Sequence, residues 1–295
     1  MTPKAGIYPG IPFAEYKSWQ GINSTFLHTL ATRSPYHAKH DRDNPKEETD
    51  ALRIGRALHS LILEPATFDQ FWYVLPEDCP RRPSDRQRNA KSPSAETIKA
   101  IEFWDEVNGS GKSIVTAKEF AEIEADATEV RKQQCMSLVC AGRAEVSIVW
   151  EDEKTGLLCK RRLDYERQGS ERDWNHYITD VKSSADISES AFRRDIANYG
   201  YAMAAAFSID GWKALTGDGS IYNLLAIEKV YHVAKVWEPG EMTIAAGRDD
   251  YRKALDTAAQ CIKTGEWEAY GTDAELIEAP DWYLHQHGLS QYSMI

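Results

Sequence analysis

Residues Leu157 to Ser184, LLCKRRLDYERQGSERDWNHYITDVKSS, decide how the rest of the chain is read. They form two strand patterns joined by a polar loop of about ten residues, and side chains on each strand alternate in direction with period two. On the first strand Lys160, Arg162 and Asp164 share a face, while Cys159, Leu163 and Tyr165 take the other. On the second, Asp180 and Lys182 share a face with Ile178, and Tyr177, Thr179 and Val181 point away. Pairing the strands is expected to converge two carboxylates and an ammonium on one side of a sheet whose other side is largely apolar. Such a grouping is costly unless something uses it. A divalent cation would, because Mg²⁺ and Mn²⁺ favour hard oxygen donors, one or two carboxylates plus water and phosphate. Asp164 and Asp180 can share the ion, the Val181 carbonyl can add a third oxygen, and Lys182 can orient or polarise an attacking water. The set suits phosphodiester hydrolysis. By spacing alone, a pair of solvated strand ends with a surface ion pair is the alternative.

The chain has 295 residues, 42% hydrophobic and 27% charged, enough for a substantial core. No apolar run approaches bilayer-spanning length, and MTPKAGIYPG lacks a basic segment followed by an apolar one, so a soluble, cytoplasmic protein with no membrane partner is expected. Five cysteines, Cys79, Cys135, Cys140, Cys159 and Cys261, form no C-x-x-C pair and read as reduced, mostly buried thiols. A net charge of −11 argues against nucleic acid binding over the whole surface but leaves room for a local basic groove. Its candidates are Arg81, Arg82, Arg86, Arg88 and Lys91, then Lys160 to Arg162, then Arg193 and Arg194.

Upstream, Ser24 or Thr25 is the expected N-cap of a short helix carrying Phe26, Leu27 and Leu30. A second helix spans about Thr49 to Leu63 and stops at Pro65. Within it Gly55 and His59 lie four apart on one face, where the glycine permits close approach to the imidazole, although a lone helical histidine beside an apolar stripe is ordinarily a packing residue. Residues 76–94, rich in Pro, Ser and Arg, are expected to be a mobile basic loop, either closing on DNA phosphates or serving as a solvated linker. Helices are expected over Ala95 to Val107 and Thr116 to Met136, then a strand over Ala144 to Asp152. After the central pair, one helix from about Ser188 should bury Phe192, Ile196, Tyr199, Met203 and Phe207. Two more strands and a helix over Glu241 to Gly265 follow, and EAPDWYLHQHGL is amphipathic enough to pack on the body or on a neighbouring subunit. The expected architecture is one α/β domain over 1–295, with a mixed central β-sheet flanked by helices.

Taken together, GRALH (Gly55 to His59), the strand aspartate Asp164, the D-V-K of Asp180 to Lys182 and the Ala-rich helix behind them resemble the PD-(D/E)XK nucleases of the RecB-like branch. More narrowly, GIY, GRALHSLILEP, AEVSIVWED, GLLCKRRLDY, TDVKSSADI and AFSIDGW are similar to the nuclease domain of RecE-type exonuclease VIII, a phage and prophage family. The resemblance spans nearly the whole chain and is weakest between Pro76 and Val115. It implies the PD-(D/E)XK nuclease fold and a Mg²⁺-dependent exonuclease, with Mn²⁺ as substitute, that degrades one strand of linear double-stranded DNA from its 5′ end. It also implies metal ligation by His59, Asp164, Asp180 and the Val181 carbonyl, Lys182 as catalytic lysine, and Tyr201 as a matched position on the helix behind. Further implications are a homo-oligomeric ring around DNA, a RecT-type single-strand annealing protein as partner, and the cytoplasm of a bacterial host. One departure stands out: Ala204 and Ser208 occupy positions where the family carries Gln and Tyr. A non-hydrolytic DNA-end-binding or partner-binding protein on the same fold is the competing reading. A sequence-specific restriction endonuclease is disfavoured, since no separate recognition domain is visible.

Overall fold

The computed structural model describes residues 3–132, 138–169, 175–271 and 273–289. Its strands are β1 (Gly6–Tyr8), β2 (Trp72–Leu75), β3 (Ser113–Thr116), β4 (Arg143–Glu151), β5 (Leu158–Gln168), β6 (His176–Ser184), β7 (Ser220–Glu228) and β8 (Val233–Trp237). Helices α1 (Phe13–Ser18), α2 (Ser24–Thr32), α3 (Pro35–Asp43), α4 (Asp50–Leu63), α5 (Phe68–Phe71), α6 (Asp85–Arg88), α7 (Ala95–Gly109) and α8 (Ala117–Lys132) precede β4. After β6 come α9 (Glu189–Asn198), α10 (Tyr201–Thr216), α11 (Glu241–Thr264) and α12 (Asp281–Gln286). The central sheet has the order β1-β4-β5-β6-β7-β8. It is antiparallel except for β6 and β7, which run parallel because α9 and α10 cross over between them. β2 and β3 form a small parallel sheet of their own, which the sequence pattern does not suggest.

Two cores sandwich the central sheet. Leu27 of α2, Phe207 and Trp212 of α10 and Leu255 of α11 meet Ile148, Leu163, Ile178 and Leu224 on one face. Leu58 and Ile62 of α4 and Ile123 and Val130 of α8 meet Val181, Leu225 and Ile227 on the other. β7 is therefore buried on both sides, which explains its unbroken apolar run from Leu224 to Ile227 in place of clean alternation. Among the described residues no helix is long and apolar enough to cross a membrane.

Local sequence accounts for most element ends. Asn23, not Ser24 or Thr25, caps α2: its backbone is extended and its side chain accepts from the Phe26 N–H at 2.8 Å. Thr49, the expected start of α4, is its N-cap. Arg53 then ties α4 to the start of α8 through Glu119 at 2.6 Å and to β3 through the Ile114 carbonyl at 2.7 Å. Residues 76–94 are not featureless. Ser84 and Gln87 close a capping box on α6, Arg88 pairs with Asp105 at 2.7 Å, and the Trp104 indole donates to the Pro80 carbonyl at 2.8 Å. Cys159 and Cys261 are buried, Cys79 is intermediate and Cys140 exposed, while Cys135 and Met136 lie outside the described residues. No side chain of α12 is buried, and Leu276, Ile277 and Trp282 are exposed.

The single helix expected from Ser188 is two. Gly200 adopts φ +68°, and a Cβ there would fall 2.4 Å from the His28 ring, so the chain breaks at a residue that must be glycine. Tyr199, expected in the core, is consequently 61% exposed at the end of α9. β5 reaches Gln168 and β6 begins at His176, most of the expected loop between them lying outside the described residues, and both strand ends carry buried polar groups that satisfy one another. His176 bonds Glu166 at 2.9 Å and Ser220 at 2.8 Å, its ring stacks on Trp212 at 3.8 Å, and Arg143 pairs with the other Glu166 oxygen.

Behind the sheet α10 and α11 approach closely at Gly247, where a Cβ would lie 2.1 Å from the Ala202 carbonyl oxygen. Since that neighbour is backbone, Gly247→Ala must push the helices apart. A loss of about 1–3 kcal/mol is expected in urea unfolding. Gly109→Ala, with nothing within 4 Å of the new methyl, is expected to be neutral or to stabilise by up to about 1 kcal/mol.

Candidate active site

β5 and β6 are paired only from Tyr165↔Thr179 to Gln168↔His176. Beyond Tyr165 they part, and the fork is closed by side chains. Asp164 stands at its base, where one carboxylate oxygen accepts the Val181 backbone N–H at 2.8 Å, replacing the ladder bond that the missing strand pairing would have supplied. The His59 Nδ1 of α4 lies 3.6 Å from the same oxygen. Asp180, 2% exposed, meets two cations: Arg161 donates to Oδ1 at 3.0 Å and the Lys182 ammonium rests against Oδ2. Arg161 also donates to the hydroxyl of Ser24, the first residue of α2, at 2.9 Å. The Lys182 ammonium sits 3.4 Å from the Val181 carbonyl and 5.4 Å from the Tyr201 ring centre.

The expectation that these groups gather on one face of the sheet is corrected. Asp180 and Lys182 share the face of Ile178, where α2 and α10 supply Ser24 and Tyr201. Asp164 is met by His59 from α4, a helix of the opposite face. The two halves come together because the strands have separated, which strand parity cannot encode.

The carboxylates are unequal. Burial and the nearby Asp180 charge raise Asp164 above the usual carboxylate range, and His59, Lys182 and Arg161 offset this only in part. Burial also pushes Asp180 upward, but Lys182 and Arg161 in direct contact outweigh it and hold the group at about 2. Asp164 is thus a buried carboxyl short of positive charge. A hard divalent cation fits this donor set: two carboxylates, an imidazole and the Val181 carbonyl, with the Lys182 ammonium standing in as a cation beside two of them. Among the described residues no three His, Cys, Asp or Glu side chains already form a cage, since Asp180 is turned toward its two cations.

Two of the expected DNA-binding residues are structural. Lys160 is 5% exposed, and its ammonium donates to the Tyr16 carbonyl at 3.0 Å and the Trp19 carbonyl at 2.5 Å, satisfying the acceptors left at the end of α1. Arg162 pairs with Glu145 and donates to the Ile11 carbonyl at 2.7 Å. Neither can reach a phosphate. Arg194 is exposed, and Arg193 is 76% exposed although paired with Glu189 at 2.8 Å. Arg81, Arg82 and Arg86 are exposed as well, Arg82 lying over the Trp104 ring, whereas Arg88 is partly buried and held by Asp105. Tyr201 belongs to the surroundings of Lys182. Ser208 is fully buried, its hydroxyl donating to the Ala204 carbonyl at 2.7 Å.

The sequence alone does not single out Arg161, Glu145 or Tyr222. Arg161 is hidden in a basic run whose members read alike. Glu145 has φ +53° within β4, and burial together with the Asp164 charge raises its carboxyl. Tyr222 lies buried near Asp180 and Arg161, and burial raises its hydroxyl well above the phenol range.

A carboxylate whose folded-state pKa is raised opposes folding at any pH where it is ionised. Asp164→Asn keeps an oxygen for the Val181 N–H and removes that charge. The metal-free variant is expected to be more stable than the parent by about 0.5–2 kcal/mol at pH 7, measured by urea unfolding. The difference should vanish as pH falls and the parent's Asp164 takes up its proton.

The model of a PDDEXK-like domain of unknown function, DUF3799, matches residues 15–280. No curated protein matches the chain. Among solved structures, a candidate exonuclease from Eubacterium rectale is 11% identical and superposes with a TM-score of 0.57, covering 92% of this chain and 94% of that one. At that identity the likeness is one of fold. A second structure, SSO0001, is 13% identical over 69% of this chain and 86% of that one, with a TM-score of 0.28, too low to carry an argument. With its mixed sheet flanked by helices and the family match running from α1 to the start of α12, the chain belongs to the PDDEXK-like family DUF3799.

Proposed function

We propose that the protein is a Mg²⁺-dependent exodeoxyribonuclease of the RecE type, degrading one strand of linear duplex DNA from the 5′ end and leaving a 3′ single-stranded tail. The observation that carries this reading is the fork between β5 and β6, where Asp164, Asp180, the Val181 carbonyl, His59 and Lys182 meet. Asp164, Asp180, the carbonyl and the imidazole would hold the ion, and Mn²⁺ would suit the same donors. When bound, Mg²⁺ supplies Lewis acidity to a phosphoryl oxygen and lowers the pKa of a coordinated water. Lys182 contributes the mobile charge, orienting the water or meeting the developing negative charge on the phosphate. Its aromatic neighbour Tyr201 limits where the ammonium can go. Exposed Arg193, Arg194, Arg81, Arg82 and Arg86 are the groups through which so acidic a chain can meet the DNA backbone. A homo-oligomeric ring would multiply them around one duplex, and a RecT-type annealing protein in a bacterial host cytoplasm would consume the tail.

A second reading, a DNA-end-binding protein with slow or no turnover, draws on α10. Where the RecE-type family carries Gln and Tyr, Ala204 offers no polar group and the Ser208 hydroxyl is spent on its own helix. Blunt linear duplex labelled at the 5′ or the 3′ end, incubated with and without Mg²⁺, separates the two. Metal-dependent release that begins at the 5′ label supports the nuclease, and binding without release supports the alternative.

Asp180→Ala and Lys182→Ala are each expected to lower cleavage by at least about 10²-fold while the protein still unfolds cooperatively. A near-parental rate in either variant would remove the proposed site. For DNA binding, Arg193→Gln with Arg194→Gln is expected to reduce the salt slope by about 0.9 for each phosphate no longer neutralised. Lys160→Met should leave that slope unchanged and show its effect in stability instead, since the cation faces backbone carbonyls.

A further inference from the structure

Asp180 is gripped by two cations whose surroundings differ. Arg161 is anchored on Asp180 Oδ1 at 3.0 Å and on Ser24 at 2.9 Å, and its Nε is buried. It cannot leave without abandoning both. Lys182 is held on one side only. Beyond Asp180 Oδ2 and the Val181 carbonyl at 3.4 Å, its ammonium faces the Tyr201 ring, and the side chain is 22% exposed. Those two oxygens are the ones that the proposed reaction assigns to the ion. An ammonium and a divalent cation cannot share them, because like charges a few ångströms apart in a buried site repel strongly.

We infer that Lys182 is the resident cation of the metal-free site and gives up its place when the ion binds, while Arg161 is a positioning residue that keeps the Asp180 carboxylate aimed through the exchange. The inference rests on the metal-binding reading above and adds to it the division of labour between two neighbouring basic residues. Free of Asp180, the ammonium moves along the Tyr201 face toward the open side of the fork, where a phosphate or its attacking water would meet it. The exchange also keeps Asp180 from standing as a naked buried anion at any stage, since Arg161 remains on Oδ1 throughout.

Calorimetric titration of Mn²⁺ into the DNA-free protein tests both halves without any turnover. Lys182→Met removes the competitor and is expected to tighten the dissociation constant by about tenfold. Arg161→Lys keeps the charge but cannot bridge Asp180 and Ser24, and is expected to loosen it by about tenfold. A Lys182→Met affinity equal to or weaker than the parent's overturns the exchange, and an unchanged Arg161→Lys affinity overturns the positioning role. The parent gives a measurement that needs no variant: modification of Lys182 by an amine-reactive reagent, followed by peptide mass spectrometry, should speed up several-fold on Mn²⁺ addition, and an unchanged rate again overturns the exchange. If the parent binds no Mn²⁺ and cuts no DNA, the metal-dependent nuclease fails and this inference with it. If the parent binds and cuts while both variants bind as it does, only the exchange and positioning fail.

Discussion

Two carboxylates buried within one strand fork cannot both be left ionised without compensation, and much of the local architecture follows from how that repulsion is met. Asp180 is compensated inside the chain by Arg161 and Lys182. Asp164 receives a backbone N–H and a more distant imidazole, which leave its carboxyl raised. One anion is kept ionised and oriented by its two cations, and its neighbour is left short of positive charge, at a cost to the stability of the fold. The helices serve the fork from opposite faces, α4 bringing His59 and α2 and α10 bringing Ser24 and Tyr201.

How much of this is legible in the sequence differs from residue to residue. The apolar periodicities locate α4, α11 and the start of α8 to within a few positions, because their buried faces dominate their energetics. Asp180 and Lys182 are legible as a pair because strand parity puts them on one face, and the contact between them does form. The grouping with Asp164 is legible, but its geometry is not, since the meeting of two faces depends on where the strands stop pairing. The K-R-R run is the least readable. Lys160, Arg161 and Arg162 are chemically alike, yet one satisfies carbonyls at the end of α1, one aligns Asp180 and one pairs with Glu145. Each partner is more than ten residues away, so no local pattern distinguishes a structural cation from a phosphate ligand.

The division of the helix behind the site has a comparable cause. Spacings of three and four run through Tyr199 as if the helix were continuous, but Gly200 lies against His28 of α2, and this tertiary contact breaks it. The break turns α10 so that Tyr201 reaches Lys182. A single glycine therefore links the packing of α2 to the surroundings of that lysine.

The far ends of β5 and β6 have a mechanical meaning. Glu166, His176, Ser220 and Trp212 lock the strands together there, and four residue pairs, Tyr165↔Thr179 to Gln168↔His176, join them. The strands thus resemble tweezers with the pivot at His176, and they begin to open at Asp164 and Asp180. From His176 to Asp180 the arm is about 13 Å long at roughly 3.3 Å per residue, so a rotation of about 4° at the pivot shifts Asp180 by about 1 Å. Stiffness at the closed end, remote from Asp164 and Asp180, sets the tolerance with which the open end holds its two carboxylates.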